Sequence, residues 1–269
     1  MEKRNIKPWE ELTLQDDYMF KRIMSKKSLC KRMLEKILCI QIRDLKYIEE
    51  EKTLKTTYLS KGIRLDVYVQ DDANTVYNIE IQVRNLKGQG LFYRTRYYQS
   101  IIDADLLAAG AKYYQLNKTI IIFICPFPVL DGKRHIYTFR NICLEDKTIE
   151  LPDGATKILV STKGTLEDVK PDVKAFLDYV DGIPSQDEFV MEIEREIKNI
   201  KEIEAERVSY MTFAMKIQEE RDEATKETLD NVILKMLRKH QPLALIQEIT
   251  DCLEDRIRDV AKRNGLTVG

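Results

Sequence analysis

Two acidic residues, Asp66 and Glu80, lie in neighbouring segments in which apolar and polar side chains alternate. Residues 63–70 and 77–83 both show this period of two, and the short polar stretch between them is typical of a turn, so the pattern predicts a β-hairpin. A hairpin that pairs symmetrically about Ala73 places Asp66 directly opposite Glu80. Like charges in such a pair repel each other, so a fold that keeps both carboxylates must compensate them.

The compensation can be a proton that the two carboxylates share or a divalent cation that they bind. A hard cation such as Mg²⁺ takes oxygen ligands and needs only one or two carboxylates besides water and a substrate phosphate. The same register places Arg64 opposite Gln82, and both side chains can donate hydrogen bonds to a phosphate or to a water molecule. This polar face therefore predicts a Mg²⁺ or Mn²⁺ site for phosphodiester hydrolysis, in which the metal activates water. The alternative is that the two carboxylates simply face solvent.

A helix predicted over residues 89–109, and ended by Gly110, follows the hairpin. It carries arginines interleaved with tyrosines, including Arg94, Arg96 and Tyr98. Guanidinium groups suit a phosphate backbone and aromatic rings suit exposed bases, so this helix predicts a DNA-binding surface. The alternative is that at least half of its aromatic side chains belong to the core.

Other elements must position these residues. The sequence predicts one helix from about Leu14 to Leu38, a central strand over residues 118–125 that is buried on both faces, and two further strands over residues 134–144 and 156–161. A short helix is predicted over residues 171–179, and the polar sequence that follows is helical as well.

Composition limits the classes of protein to which the chain can belong. Of its 269 residues, 43% are hydrophobic, which is enough for a core, and its 44 basic and 45 acidic residues exclude a globally basic protein that wraps nucleic acid. Five cysteines without a CxxC pair and two distant histidines argue against a disulfide framework and against a zinc site. The longest apolar run, Ile120–Cys125, is too short to span a bilayer, and the N-terminal sequence lacks the apolar stretch of a signal peptide. We therefore expect a cytoplasmic protein without a membrane segment.

The run GIRLDVYVQDDANTVYNIEIQV, which contains both acids, resembles the active-site hairpin of the PD-(D/E)xK nuclease superfamily. The wider pattern is similar to the branch of recombination-promoting nucleases and transposases. Four further runs support this resemblance: DDYMFKRIM, FYRTRYYQSI, GAKYYQLNKTIIIFI and TKILVSTKG.

The resemblance implies an α/β fold of the restriction-endonuclease type, with an αβββαβ core whose mixed sheet is flanked by helices. It implies a Mg²⁺-dependent or Mn²⁺-dependent DNA endonuclease in which Asp66 and Glu80 bind the metal through their carboxylates. The main-chain carbonyl of Ile81 would be a further metal ligand, and Gln82 would occupy the third catalytic position of the motif.

Gln82 stands where most of the superfamily has lysine. A lysine brings a positive charge and can help to deprotonate the attacking water, whereas a glutamine can only orient that water by hydrogen bonding. Lys61 or Arg64 could supply the missing charge. Some relatives also use an acid from the first helix, and Asp17 is the candidate here; its alternative role is to interact with the helix dipole.

These observations predict a nuclease-like domain over residues 1–182 and a helical C-terminal extension over residues 183–269. The spacing within residues 243–265 is similar to that of a helix-turn-helix, although packing or dimerisation is the favoured role, and a homodimer would suit two cuts in a DNA duplex. Two alternatives to an active nuclease stay open: a weak or inactive nuclease fold that binds DNA or protein, and a regulatory α/β protein whose acidic pair lies on the surface.

Overall fold

A mixed six-stranded sheet organises the larger part of the chain. The structure, a computed structural model, describes residues 6–47, 53–54, 63–85 and 90–266. The strands, in chain order, are β1 (Leu45–Tyr47), β2 (Thr53–Leu54), β3 (Ile63–Arg64), β4 (Val67–Asp71), β5 (Val76–Ile81), β6 (Thr119–Cys125), β7 (Ile136–Phe139) and β8 (Ala155–Ser161). The six-stranded sheet has the order β1-β4-β5-β6-β8-β7, and β2 and β3 form a separate two-stranded sheet. Strands β5, β6 and β8 run parallel, and the other neighbours in the large sheet are antiparallel.

Eight α-helices accompany these strands in the part of the chain that the structure describes. They are α1 (Asp17–Met24), α2 (Lys27–Leu38), α3 (Gly90–Leu106), α4 (Pro171–Val180), α5 (Glu188–Glu202), α6 (Glu204–Arg238), α7 (Leu243–Thr250) and α8 (Glu254–Arg263). Helix α3 makes the crossover that the parallel pair of β5 and β6 requires. The succession of helix, β1, β4, β5, α3 and β6 is the αβββαβ arrangement that the family resemblance implies.

Strand β6 is the central strand, as predicted from its run of β-branched residues. It lies between β5 and β8, and its side chains from Ile121 to Cys125 are fully buried. Burial of each such aliphatic or aromatic side chain contributes about 1.5–3 kcal/mol relative to exposure. Phe123 is the register partner of Glu80 on β5, so the acidic residue lies beside the most buried part of the sheet.

The predicted hairpin register is confirmed where β4 pairs with β5, beginning with Val67 opposite Ile79. Upstream of that pair the chain leaves the ladder, because β3 pairs with β2 and places Arg64 opposite Thr53. The predicted strand pair of Arg64 with Gln82 is therefore wrong.

The predicted division of the hairpin into one apolar and one polar face is also wrong in part. A bend at Asp66 separates β3 from β4, so the alternation does not continue across it. As a result, Ile63 and Leu65 pack in the same cluster as Tyr68 and Phe123, on the side that the alternation assigned to polar residues. Val83, an apolar position of the same alternation, lies beyond the end of β5 and is 45% exposed.

The single helix predicted from Leu14 to Leu38 is in fact two helices, α1 and α2. The hydroxyl of Ser25 donates a hydrogen bond to the Arg22 carbonyl, and Lys26 has an extended backbone. Such a bond from a serine side chain competes with the helical ladder and favours a helix end. The break makes α1 a separate helix, which matters because α1 contributes to the site described below.

The chain divides into two compact units. One extends from Trp9 to Ile203, and the other comprises the chain from Glu204 onwards together with residues 6–8. Helix α5, which the sequence analysis assigned to the C-terminal extension, packs against α1, α2 and α4 within the first unit.

The second unit contains α6, α7 and α8, which pack around a small apolar cluster that includes Ile233, Ile246 and Ile257. Asp251 adopts the left-handed conformation in the turn between α7 and α8, at a place where a glycine is common. Within the described ranges, no helix combines the length and apolar character that a bilayer crossing requires.

Candidate active site

The structure brings the two predicted acids, Asp66 and Glu80, next to each other. Asp66 directly precedes β4, and its main-chain N–H donates a hydrogen bond of 3.1 Å to Oε1 of Glu80 on β5. The main-chain N–H of Ile81 in turn favours the charged form of the Asp66 side chain by hydrogen bonding. Because of the bend before β4, Asp66 and Glu80 are not paired as strand residues. Hydrogen bonds between main chain and carboxylate fix both acids in position instead.

The face of β5 that carries Glu80 is covered rather than exposed. The exposed fraction is 0% for Asn78, 1% for Glu80 and 6% for Gln82. An acidic pair that only decorates the surface is therefore wrong for this protein. Burial removes water from a carboxylate, which is unfavourable unless other charges or hydrogen bonds replace that water.

Arg94 of α3 is the main partner of this buried face. Its Nη2 lies 3.0 Å from Oε2 of Glu80, and its guanidinium also donates hydrogen bonds to Oε1 of Gln82 and to the hydroxyl of Tyr98. The guanidinium carbon lies 4.8 Å from the ring centre of Tyr98 and 5.2 Å from that of Phe123. The predicted DNA-binding residues Arg94 and Tyr98 thus lie against the acidic pair, where Arg94 acts as its counter-charge.

Lys21 of α1 contacts the site from a second helix. Its Nζ lies 3.2 Å from Oδ1 of Asp66, and the exposed fractions of the two side chains are 9% and 12%. Sequence reasoning missed this residue. The available signal was its helical spacing, because Lys21 follows Asp17 by one turn and shares that stripe with the buried Met24.

Burial and the proximity of the two acids govern the electrostatics of the site. The pKa of Glu80 is raised well above its usual value, first by burial and then by the charge of Asp66, while Arg94 acts in the opposite direction. Burial also raises the pKa of Asp66, and Lys21 partly offsets this. A bound cation would favour the charged form of two adjacent carboxylates whose pKa values are raised in this way.

Of the other predicted site residues, Asp17 lies near this pair, Arg64 lies near Asp17, and Arg96 lies elsewhere on α3. Asp17 is in the first turn of α1, and its pKa is raised by burial and by the charge of Asp66, so it lies within electrostatic reach of the pair. Arg64, at the end of β3, lowers the pKa of Asp17. Arg96 is exposed, and its guanidinium carbon lies 5.4 Å from the ring centre of Tyr93.

Lys61, one of the two residues suggested as a source of the missing charge, lies outside the described residues.

The donor set fits a hard divalent cation. Across the described residues, no set of three or more histidine, cysteine, aspartate or glutamate side chains is grouped to hold a metal ion. Asp66 and Glu80 nevertheless supply two carboxylates, which is what Mg²⁺ takes from a protein when water and substrate phosphate complete its octahedron. The raised pKa of Glu80 supports this fit, because burial and the charge of Asp66 disfavour the charged carboxylate and a bound cation would favour it.

Comparison with protein families agrees with this geometry. Residues 14–231 match a family model described as PD-(D/E)XK nuclease family transposase. The chain belongs to this family. Its mixed sheet with flanking helices is accordingly a restriction-endonuclease-like α/β fold, and both acids of the hairpin lie within the matched range. No curated protein and no solved structure matches the chain significantly.

In this member of the family, we expect Tyr98→Phe to lower the free energy of unfolding by about 1 kcal/mol, because Arg94 loses a hydrogen-bond acceptor while the ring remains. Urea denaturation measures the effect. Tyr93→Phe is the matched control on the same helix, since Tyr93 is 57% exposed and its replacement should leave the midpoint unchanged. Equal midpoints for both variants would contradict the role of the Tyr98 hydroxyl.

Proposed function

We propose that the chain is a metal-dependent DNA endonuclease that hydrolyses phosphodiester bonds, with a role in transposition or recombination. Asp66 and Glu80 would hold Mg²⁺ or Mn²⁺, and the main-chain carbonyl of Ile81 would be a further ligand. The observation that carries this proposal is the buried carboxylate pair, in which the Asp66 main chain lies 3.1 Å from the Glu80 carboxylate and the charge of Asp66 raises the pKa of Glu80.

The bound metal would supply an activated water and neutralise the charge that develops on the phosphate. The residues of the chain prepare that chemistry. Arg94 orients the Glu80 carboxylate through Oε2, and Gln82 holds Arg94 in turn. Asp17, at the edge of the pair, is the proposed accessory acid. Together these contacts leave the carboxylates fixed before any substrate arrives, which lowers the reorganisation that catalysis needs.

DNA is the proposed partner. Arg96 and Tyr93 present an exposed cation and an exposed ring on α3, close in sequence to Arg94, and such a surface suits a phosphate backbone. Arg64 is the proposed contact on the hairpin side. A homodimer, which would permit a cut in each strand of a duplex, stays a prediction.

A second candidate function has its own observation in support. Gln82 brings no charge, and the two carboxylates already pair with Arg94 and Lys21. A fold that has replaced the metal by side-chain cations would bind DNA or protein without cutting. This candidate differs from the first in a single measurable property, namely cleavage that depends on a divalent metal.

Metal removal tests the proposal. We expect the purified protein to nick supercoiled plasmid in Mg²⁺ or Mn²⁺, to stop when EDTA is added, and to resume when the metal is restored. Mn²⁺ titration without DNA should show weaker binding as the pH falls, because the raised pKa of Glu80 means that a proton must leave before the metal binds. DNA binding without any nicking, in every metal tested, would favour the second candidate.

A further inference from the structure

Helix α1 places a buried ammonium group against the acidic pair, and the function proposed above gives it no role. Lys21 has only 9% of its side chain exposed, and its partner Asp66 has 12%. Lysine is almost never this buried unless it is paired, and desolvation of both charges opposes the pair. An apolar side chain would fill the same space without that desolvation, so the feature that Lys21 contributes here is its charge.

Residue 82, at the position where most of the superfamily has lysine, cannot provide a positive charge in this chain. Gln82 is neutral, and both ends of its amide are engaged: Oε1 accepts a hydrogen bond from Arg94, and Nε2 donates one of 2.5 Å to the Arg84 carbonyl. The guanidinium of Arg94 is directed at Glu80, Gln82 and Tyr98. Lys21, by contrast, reaches the acidic pair from the Asp66 side.

We propose that Lys21 supplies the positive charge that the Gln82 position lacks, and that its ammonium group contacts the scissile phosphate of bound DNA. This inference rests on the proposed nuclease function. In the hydrolysis, the water oxygen forms a bond to phosphorus while the bond from phosphorus to the leaving oxygen breaks. The proton of the attacking water passes to solvent, and the leaving oxygen takes a proton from solvent. Lys21 keeps its protons throughout and stabilises the charge on the phosphate oxygens.

The same contact makes Lys21 a competitor of the metal. Without metal or DNA, its ammonium is a counter-charge of Asp66, at 3.2 Å. Neutralising Lys21 should therefore strengthen metal binding and weaken cleavage. A lysine that only supports the fold would change both properties in the same direction, so the two measurements together separate the roles.

The experiment compares Lys21→Met and Lys21→Arg with the wild-type chain. We expect Lys21→Met to cleave plasmid at least about a hundredfold more slowly, as for the loss of one preorganised group at a transition state. Its affinity for Mn²⁺, measured in the absence of DNA, should be higher than that of the wild type. Lys21→Arg retains the charge and should recover at least about tenfold of the lost rate. Lys27→Met is the matched control, because Lys27 pairs with Asp44 at the surface and both side chains are 50% exposed.

Circular dichroism checks that each variant is folded, and Lys21→Gln replaces Lys21→Met if the latter is not. Cleavage by the neutral variant within about threefold of wild type would overturn the inference and leave the nuclease function intact. A parallel loss of cleavage and of Mn²⁺ affinity, without recovery in Lys21→Arg, would overturn it as well and assign a structural role. A wild-type chain that neither binds Mn²⁺ nor nicks plasmid overturns the proposed function first, and this inference with it.

Discussion

Glu80→Gln should abolish cleavage, by about a thousandfold or more, and at the same time should stabilise the metal-free protein at neutral pH. The loss of rate follows from the loss of one of two metal carboxylates, since metal activation contributes several kcal/mol to a hydrolysis and each 1.4 kcal/mol is about tenfold in rate. The gain in stability follows from removing a charge that is buried beside Asp66, while the amide keeps the shape of the side chain and one carbonyl oxygen, which replaces one of the two oxygens that accept from Asp66 and from Arg94.

The sign of the stability change depends on pH. Burial and the charge of Asp66 raise the pKa of Glu80 above its ordinary value of 4.5, so the folded state holds the proton more tightly than the unfolded state. The contribution of Glu80 to the free energy of unfolding is therefore largest at pH values below its ordinary pKa. It is lost as the pH rises towards the raised pKa of the folded state. The difference in free energy of unfolding between Glu80→Gln and the wild type should grow in favour of the variant over the same pH interval. Urea denaturation in EDTA measures it.

Asp72→Asn is the control for Glu80→Gln. Asp72 lies in the turn of the same hairpin, and hydrogen bonding from the Asp44 main chain holds its pKa below the usual value. Neutralising it should leave cleavage unchanged, and any effect on stability should be a loss. If Glu80→Gln retained wild-type cleavage, or destabilised the metal-free protein at neutral pH, the assignment of a strained carboxylate pair would be wrong.

Local patterns were sufficient to predict the elements that carry the acids. The alternation in residues 77–83 predicts β5, and the apolar run that forms β6 predicts a strand buried on both faces. Both strands could be predicted because the burial of each face of a strand determines which residues are apolar, and that pattern is directly visible in the sequence. The pairing of β3 with β2 was not predictable in this way, because the alternation continues through Asp66 in the sequence although the strand bends there.

The two cations of the site show where such reasoning fails and where it could have gone further. Arg94 lies on the same face of α3 as the buried Leu91, Tyr98 and Ile101, while Arg96 lies on the other face. The helical period therefore places Arg94 on the buried face of α3 and Arg96 on the exposed face. The number of arginines in the segment does not show this difference. Lys21 could be placed on a face of its helix, but nothing in the sequence fixes how the end of α1 meets the hairpin.

Arg94→Met should destabilise the protein by about 2–3 kcal/mol at neutral pH, because it leaves the Glu80 carboxylate buried without its counter-charge. The usual effect of breaking a buried ion pair is reduced here, since about a third of the Arg94 side chain, 32%, is exposed. Glu80 can also take up a proton, which limits the loss further. The loss should therefore be smaller at pH 5 than at pH 8, and it should shrink when Glu80→Gln is already present.

Arg96→Met is the matched control, because it removes the same charge from the exposed face of the same helix and should change stability by no more than about 0.5 kcal/mol.

The pair of variants also separates two roles for Arg94. A residue that positions Glu80 lowers stability when replaced, in a manner that depends on pH and on Glu80. A residue that contacts only a DNA phosphate leaves stability unchanged and lowers the salt dependence of DNA binding by about one ion. Denaturant melts of the two variants without metal or DNA, at both pH values, decide between these roles, and equal stability of Arg94→Met and Arg96→Met would exclude the positioning role.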